Sequence, residues 1–129
     1  MPRNKKSAKV DGIRWLDRPE DQDFPAAESY LSLRYPPPRA RALVNALKRA
    51  RPARFKAKDI FRASGLPLLG LDNWHVHKDQ EKIAAKAQLS PLLLVRDPVA
   101  SRLIIADGYH RLCAVYSHDE DAVIPCRIV

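Results

Sequence analysis

The chain has 129 residues, 46% of them apolar, and carries a formal charge of +8. That length suits one domain with a real core, no apolar run approaches the roughly 18 residues of a membrane span, and two cysteines, Cys113 and Cys126, are too few for a disulfide scaffold. The charge is lopsided, because Arg34 to Lys58 holds basic residues and no acid, whereas the charges from Asp59 onward nearly balance.

In chain order, residues 1–9 are polar and basic and read as a disordered arm. No apolar segment follows that start, so the chain reads as lacking a secretory signal and as cytoplasmic. Residues 10–52 read as an N-terminal helical extension. Ile13, Trp15 and Leu16 fit a short strand or a docking segment. Asp23-Phe24-Pro25 opens a helix, with Pro25 suited to a first turn and Tyr30, Leu31 and Leu33 supplying apolar contacts. Tyr35-Pro36-Pro37-Pro38 stops it, since proline forces the preceding residue out of the α region. A second helix is predicted from about Pro38 to Ala50, with Ala40, Leu43, Val44 and Leu47 as its buried stripe. Together these two helices fit a helical hairpin packed on the main domain, or else an imitation of a helix-turn-helix, although a triple-proline link does not resemble the usual turn containing Gly.

The main domain is predicted over 53–129. Arg54 to Ile60 alternates in part and reads as its first strand, and Phe61 to Gly70 is rich in turn residues. A helix is expected from roughly His77 to Ala87, with Ile83, Ala84 and Ala87 inward and Lys78, Asp79, Glu81, Lys82 and Lys86 solvated. His75-x-His77 offers two imidazoles, but a metal site needs a third ligand nearby, so the segment reads as a polar loop at a helix start that helps line the ligand cleft. Leu92-Leu93-Leu94-Val95 is an apolar run, which fits a strand buried on both faces. Asp97 to Ser101 makes a turn, Arg102 to Ala106 returns as the partner strand, and Val123 to Val129 forms a last strand. Pro125 places that strand at an edge or at its start.

Between the last two strands lies the stretch that carries chemistry, Ile105 to Ala114. A strand turns at Asp107-Gly108 and enters a helical pattern with Tyr109, Leu112, Cys113 and Tyr116 on one face. Such a joint presents free backbone N–H groups at the positive end of a helix dipole, which suits phosphate. Arg111 adds a fork of donors, and His110 a donor or a titrating base. Asp107 is expected to cap the helix, and Ala114, one turn on, to leave room for a ligand. Both cysteines read as small buried hydrophobes.

This spelling resembles the signature of the ParB/sulfiredoxin superfamily, whose Gly-x-x-Arg-x-x-Ala core opens a helix that holds nucleotide phosphates. Here the core is Gly108, Arg111 and Ala114, and the resemblance covers about residues 55–129. The sulfiredoxin branch has Gly-Cys-His-Arg; Tyr109 replaces its reactive Cys, which argues against sulfinic-acid reduction. The ParB branch has Gly-Glu-Arg-Arg and differs at Tyr109 and His110. The Asp-Gly-His-His-Arg of the free-serine kinases matches at Asp107, Gly108, His110 and Arg111. Asn73 falls near an Asn-Pro-Arg-like segment of the ParB branch, with Trp74 and His75 in place of Pro and Arg.

The resemblance implies an α+β fold, a small mixed sheet with helices, to which the N-terminal hairpin is added. It also implies a site for a nucleotide or another phosphorylated small molecule at Gly108, Tyr109, His110 and Arg111. The resemblance implies ATP, ADP or CTP with Mg²⁺ as the ligand, and the kinase-like spelling implies phosphoryl transfer in which Asp107 and His110 take catalytic parts. A kinase also needs a carboxylate to accept the hydroxyl proton, and Asp72, Asp79 and Glu81 are the candidates by chain position. A second reading is a non-catalytic module that binds nucleic acid through Arg39, Arg41, Lys48 and Arg49. A third is a scaffold whose joint binds nothing. Whether the chain is an enzyme, and its oligomeric state, stay open at this level.

Overall fold

The computed structural model describes residues 12–129. The arm expected over 1–9 lies outside the described residues. The fold is α+β, built around a four-stranded mixed sheet of order β2-β6-β4-β5: β2 is Ala53–Lys56, β4 Leu92–Asp97, β5 Arg102–Asp107 and β6 Val123–Ile128. β1 (Arg14–Trp15) and β3 (Gln88–Leu89) form a separate parallel pair, so the segment around Trp15 takes the short-strand alternative.

The run Leu92 to Val95 places the sheet between two layers. Strand alternation sends Leu93 and Val95, with Ile104 and Ala106, to one face. There they meet α1 (Asp23–Leu31) and α2 (Pro37–Arg49), the predicted hairpin, through Phe24, Ala27, Leu31, Ala40, Val44 and Leu47. Leu92, Leu94, Ile105, Ile124 and Cys126 face the other way. They meet α3 (Ala57–Ser64), α4 (Trp74–Ala84) and α5 (Tyr109–His118). Because one strand serves both layers, the hairpin shares its core with the sheet. Asp23, buried at the start of α1, accepts a hydrogen bond from Ser90 just ahead of β4, which ties the same two parts with a polar contact.

Several boundaries differ from those predicted. Tyr30 and Leu33 are exposed, and Phe24 and Ala27 join Leu31 in the contact instead. The strand expected to reach Ile60 stops at Lys56, and α3 follows with no loop. Ala57, Ile60, Phe61 and Ser64 all face the core at helical spacing, and Gly65 ends the helix in the left-handed region at φ +67°. α4 starts at Trp74, ahead of the predicted His77, because the Asn73 side chain accepts from the amides of His75 and Val76. Its inward residues are Val76 and Ile83, while Ala84 is exposed. β6 is interior, not an edge. Its pairing with β4 begins at Cys126, so nothing on that side requires a proton from Pro125.

Candidate functional site at the Asp107–Arg111 turn

β5 ends at Asp107 and α5 begins at Tyr109, so Gly108 alone makes the turn. It lies at φ +108°, and a Cβ there would stand 2.7 Å from Leu92 Cγ and 2.9 Å from Arg111 Nη2. Only glycine satisfies both the torsion and the close approach. The first helical bond is donated by the Leu112 amide to the Gly108 carbonyl at 2.8 Å. The amides of Tyr109, His110 and Arg111 precede it, and no side chain among the described residues caps them.

Asp107 is therefore not the cap expected from the sequence. It is still a strand residue, paired with Leu93, and Gly108 occupies the capping position. Its carboxylate instead accepts from Arg111 Nη2 at 3.2 Å. The same Nη2 reaches the Pro91 carbonyl at 3.5 Å. Both protein acceptors thus fall on one nitrogen, and Arg111 Nε is buried with no partner among the described residues. With side-chain exposures of 17% and 20%, Arg111 and Asp107 are wall groups that a ligand can still reach.

This turn forms one wall of a cavity of about 250 Å³. The facing wall comes from α4: His75, Lys78, Asp79 and Lys82, at i, i+3, i+4 and i+7, line the same cavity. Lys78 and Lys82 are exposed at its edge, as their solvated positions in the sequence predict, while Asp79 is half-buried. Polar helical periodicity was the signal for this wall, but it does not by itself distinguish water from a polar cleft. Among the carboxylates weighed as proton acceptors, Asp79 lines the cavity. Asp72 is exposed, and Glu81 pairs with His77 at 3.5 Å. His75 and His77 point apart because they sit two residues apart on a helix, not on an extended loop. His75 instead meets His110, with ring centroids 4.7 Å apart. Among the described residues, no group of three or more His, Cys, Asp or Glu side chains gathers as a metal site.

Burial sets the electrostatics. It pushes the Asp107 carboxyl above the usual carboxylate range, and the Arg111 guanidinium pulls part of the way back. Asp79 is raised for the same reason, against the pull of Arg111, Lys82, His110 and His75. His110 is lowered by burial and by the neighbouring His75, with Asp79 opposing. The cavity thus holds carboxylates raised above their ordinary range and an imidazole biased to its neutral form.

Aromatic rings run along the rim. Trp74 to His75 is 5.1 Å, His75 to His110 4.7 Å and His110 to Tyr109 5.6 Å between centroids. Trp74 ends the series at 64% exposure, with Lys78 Nζ 5.0 Å from its ring centre. The Tyr109 hydroxyl donates to the Pro67 carbonyl, which holds that ring at the other end.

Ala114 does not open space for a ligand. It is fully buried, and its carbonyl accepts from Gln80 of α4, so its small side chain lets two helices approach. Cys113 and Cys126 are buried free thiols; burial raises both, Cys126 to about 11. The α2 cations Arg39, Arg41, Lys48 and Arg49 are exposed, on the hairpin layer and not on the cavity. Arg41 lies 3.9 Å from Glu28, and Lys48 sits over the Phe24 ring at 5.7 Å. Among the described residues, no helix is long and apolar enough to cross a membrane.

Compared with protein-family models, with curated proteins and with solved structures, the chain matches none.

Proposed function

We propose that the cavity between α4 and the Asp107–Arg111 turn binds a nucleotide through its phosphates, as the ParB/sulfiredoxin-like spelling of the turn implies. The observation that carries this reading is the Arg111 guanidinium. It stands beside helix amides that no side chain caps among the described residues, and its buried Nε has no acceptor among them. A buried donor without a partner calls for an acceptor such as water or an ion, and a phosphate oxygen is one that also suits the helix end. The exposed Trp74 ring beside the cavity favours a ligand with an aromatic base over a bare phosphate.

The chemistry that follows is phosphoryl transfer to a small molecule. Such reactions are catalysed mainly by positioning and charge neutralisation. The amides of Tyr109 to Arg111 and the guanidinium neutralise the transferred group. Asp79, with its raised carboxyl on the facing wall, is the group to take the hydroxyl proton, and neutral His110 is a donor to a phosphate oxygen. A magnesium ion arriving with the nucleotide needs only one or two protein carboxylates, and Asp107 and Asp79 are those on the cavity.

Thermal shift with ATP, ADP and CTP, with and without Mg²⁺, tests the pocket. At about 100 times Kd a ligand adds roughly 2.7 kcal/mol of stability. Arg111→Ala removes that shift; unchanged nucleotide binding in Arg111→Ala defeats the reading. Asp79→Asn is expected to keep nucleotide binding and to abolish transfer of phosphate to a hydroxyl.

The exposed cations of α2 favour a second reading, salt-dependent nucleic-acid binding by the hairpin. Neutralising Arg39, Arg41, Lys48 and Arg49 together is expected to flatten the dependence of DNA affinity on salt. If the wild-type protein shows no DNA binding at low salt, this reading is excluded.

A further inference from the structure

The helices on the α3 side leave part of the sheet uncovered. Arg96 pairs with Leu103, Leu94 with Ile128, and Phe55 with Ile124, so strand alternation points Arg96, Leu103, Ile128 and Phe55 toward the α3 side. α3 follows β2 directly, and along its flank runs a groove of about 610 Å³, much larger than the cavity at the Asp107–Arg111 turn. Its apolar surface comes from those side chains together with Ile60 and Ala63 of α3. The volume lies within the range of small-molecule sites, about 300–1,000 Å³.

The polar groups of the groove are unequal. Asp59 is paired with Arg62 at 3.4 Å. Asp97 accepts from the Tyr35 hydroxyl at 3.2 Å and from the amides of Val99 and Ala100, both at 3.1 Å. Arg96 and Arg102 flank the turn after β4 and also line the groove, and neither guanidinium is hydrogen-bonded or ion-paired among the described residues. The carboxylates thus have protein partners, while the exposed guanidiniums have none among the described residues and are met by water that an anion can displace. An occupant that completes this surface has an apolar body and an anionic head.

We propose that this groove is a second ligand site, for a small amphipathic carboxylate whose apolar body lies along α3 and whose carboxylate is held by Arg96 and Arg102. A guanidinium matches a carboxylate in shape and charge, and pairing there costs little desolvation because both arginines stand at the exposed end. The apolar body supplies most of the affinity by covering the floor.

Titrating the full chain with hexanoate, octanoate and decanoate, followed by calorimetry, tests the proposal. Affinity is expected to rise about fourfold per added methylene while the groove has room. Octanoate is expected to bind about tenfold more tightly than 1-octanol, the head group's share. The double variant Arg96→Gln/Arg102→Gln should erase that preference and keep the dependence on chain length. Ala63→Phe, at an exposed helix position, should fill the groove and abolish binding with an unchanged melting temperature. Arg111→Ala should bind octanoate like the wild type, which separates this site from the nucleotide cavity. The proposal is overturned if octanoate and decanoate do not bind, or if binding survives Ala63→Phe. It is equally overturned if the arginine variants keep the carboxylate preference, or if sedimentation shows that the groove is closed by a second copy or by an added peptide.

Discussion

Asp107 Oδ2 and Arg111 Nη2 lie 3.2 Å apart across the first turn of α5, each on the wall of the cavity. The pair sets the resting state of the site, because an incoming anion competes with Asp107 for the guanidinium. Asp107→Asn removes that competition and one negative charge from the wall. Affinity for inorganic triphosphate without Mg²⁺ is expected to rise severalfold in the variant, measured by titration at fixed ionic strength. An equal or weaker affinity would show that Asp107 positions Arg111 for the anion instead of competing with it.

Gly108 has no tolerated replacement. Gly108→Ala places a Cβ 2.7 Å from Leu92 Cγ in a backbone conformation that L residues rarely adopt. The torsion costs about 1–3 kcal/mol, and the clash with a fully buried leucine adds about 1–3 kcal/mol of overpacking. Urea denaturation is expected to show a loss at the upper end of that combined range. A loss within about 0.5 kcal/mol, the spread of neutral surface changes, would contradict the geometry of the turn.

Asp79 gives the site a pH signature. Burial raises its carboxyl above the ordinary value of 3.8, so the folded protein holds this proton more tightly than the unfolded chain does. Folding is therefore favoured by this group on the acid side, and that contribution is lost as pH rises from about 3.8 through the raised value. Asp79→Asn is expected to flatten the stability–pH curve over that window, read from chemical denaturation at a series of pH values. Protonation of the same carboxylate also removes negative charge facing the anion, so the gain in triphosphate affinity as pH falls through the raised value should be smaller in the variant.

Leu47 of α2 is fully buried in the core shared by the hairpin and the sheet. Leu47→Ala is expected to cost about 2–5 kcal/mol and to shift one cooperative transition. A separate early melting of the hairpin, seen by two probes that fail to coincide, would mean that residues 12–52 fold as an independent unit.

The parts of the fold that were readable from the sequence are those fixed by local patterns. Leu92 to Val95 could only be a strand covered on both sides, and the proline corner separated two helices. α3 escaped because Arg54 to Ile60 spans a strand and a helix with no intervening loop, so neither period runs long enough to stand out. Its helical signal was present in Ala57, Ile60, Phe61 and Ser64, which recur at 3–4 spacing. At the site, Gly108 and Arg111 were legible because the turn demands a glycine and the helix start favours an anion. Asp107 was misread by one residue, since capping depends on where the strand ends. On α4 it is Asp79 that departs from its expected solvated place, because an aspartate among lysines on one helix face looks the same whether it meets solvent or the edge of a polar cavity.

β6 comes after every other strand in the chain, yet it sits between β2 and β4. During synthesis the hairpin of β4 and β5 can zip early, while β2 has no neighbour to join until residues 123–128 emerge. Closure of the sheet therefore waits until residues 123–128 have been made, and nascent chains stalled before Val123 should remain protease-sensitive throughout α3.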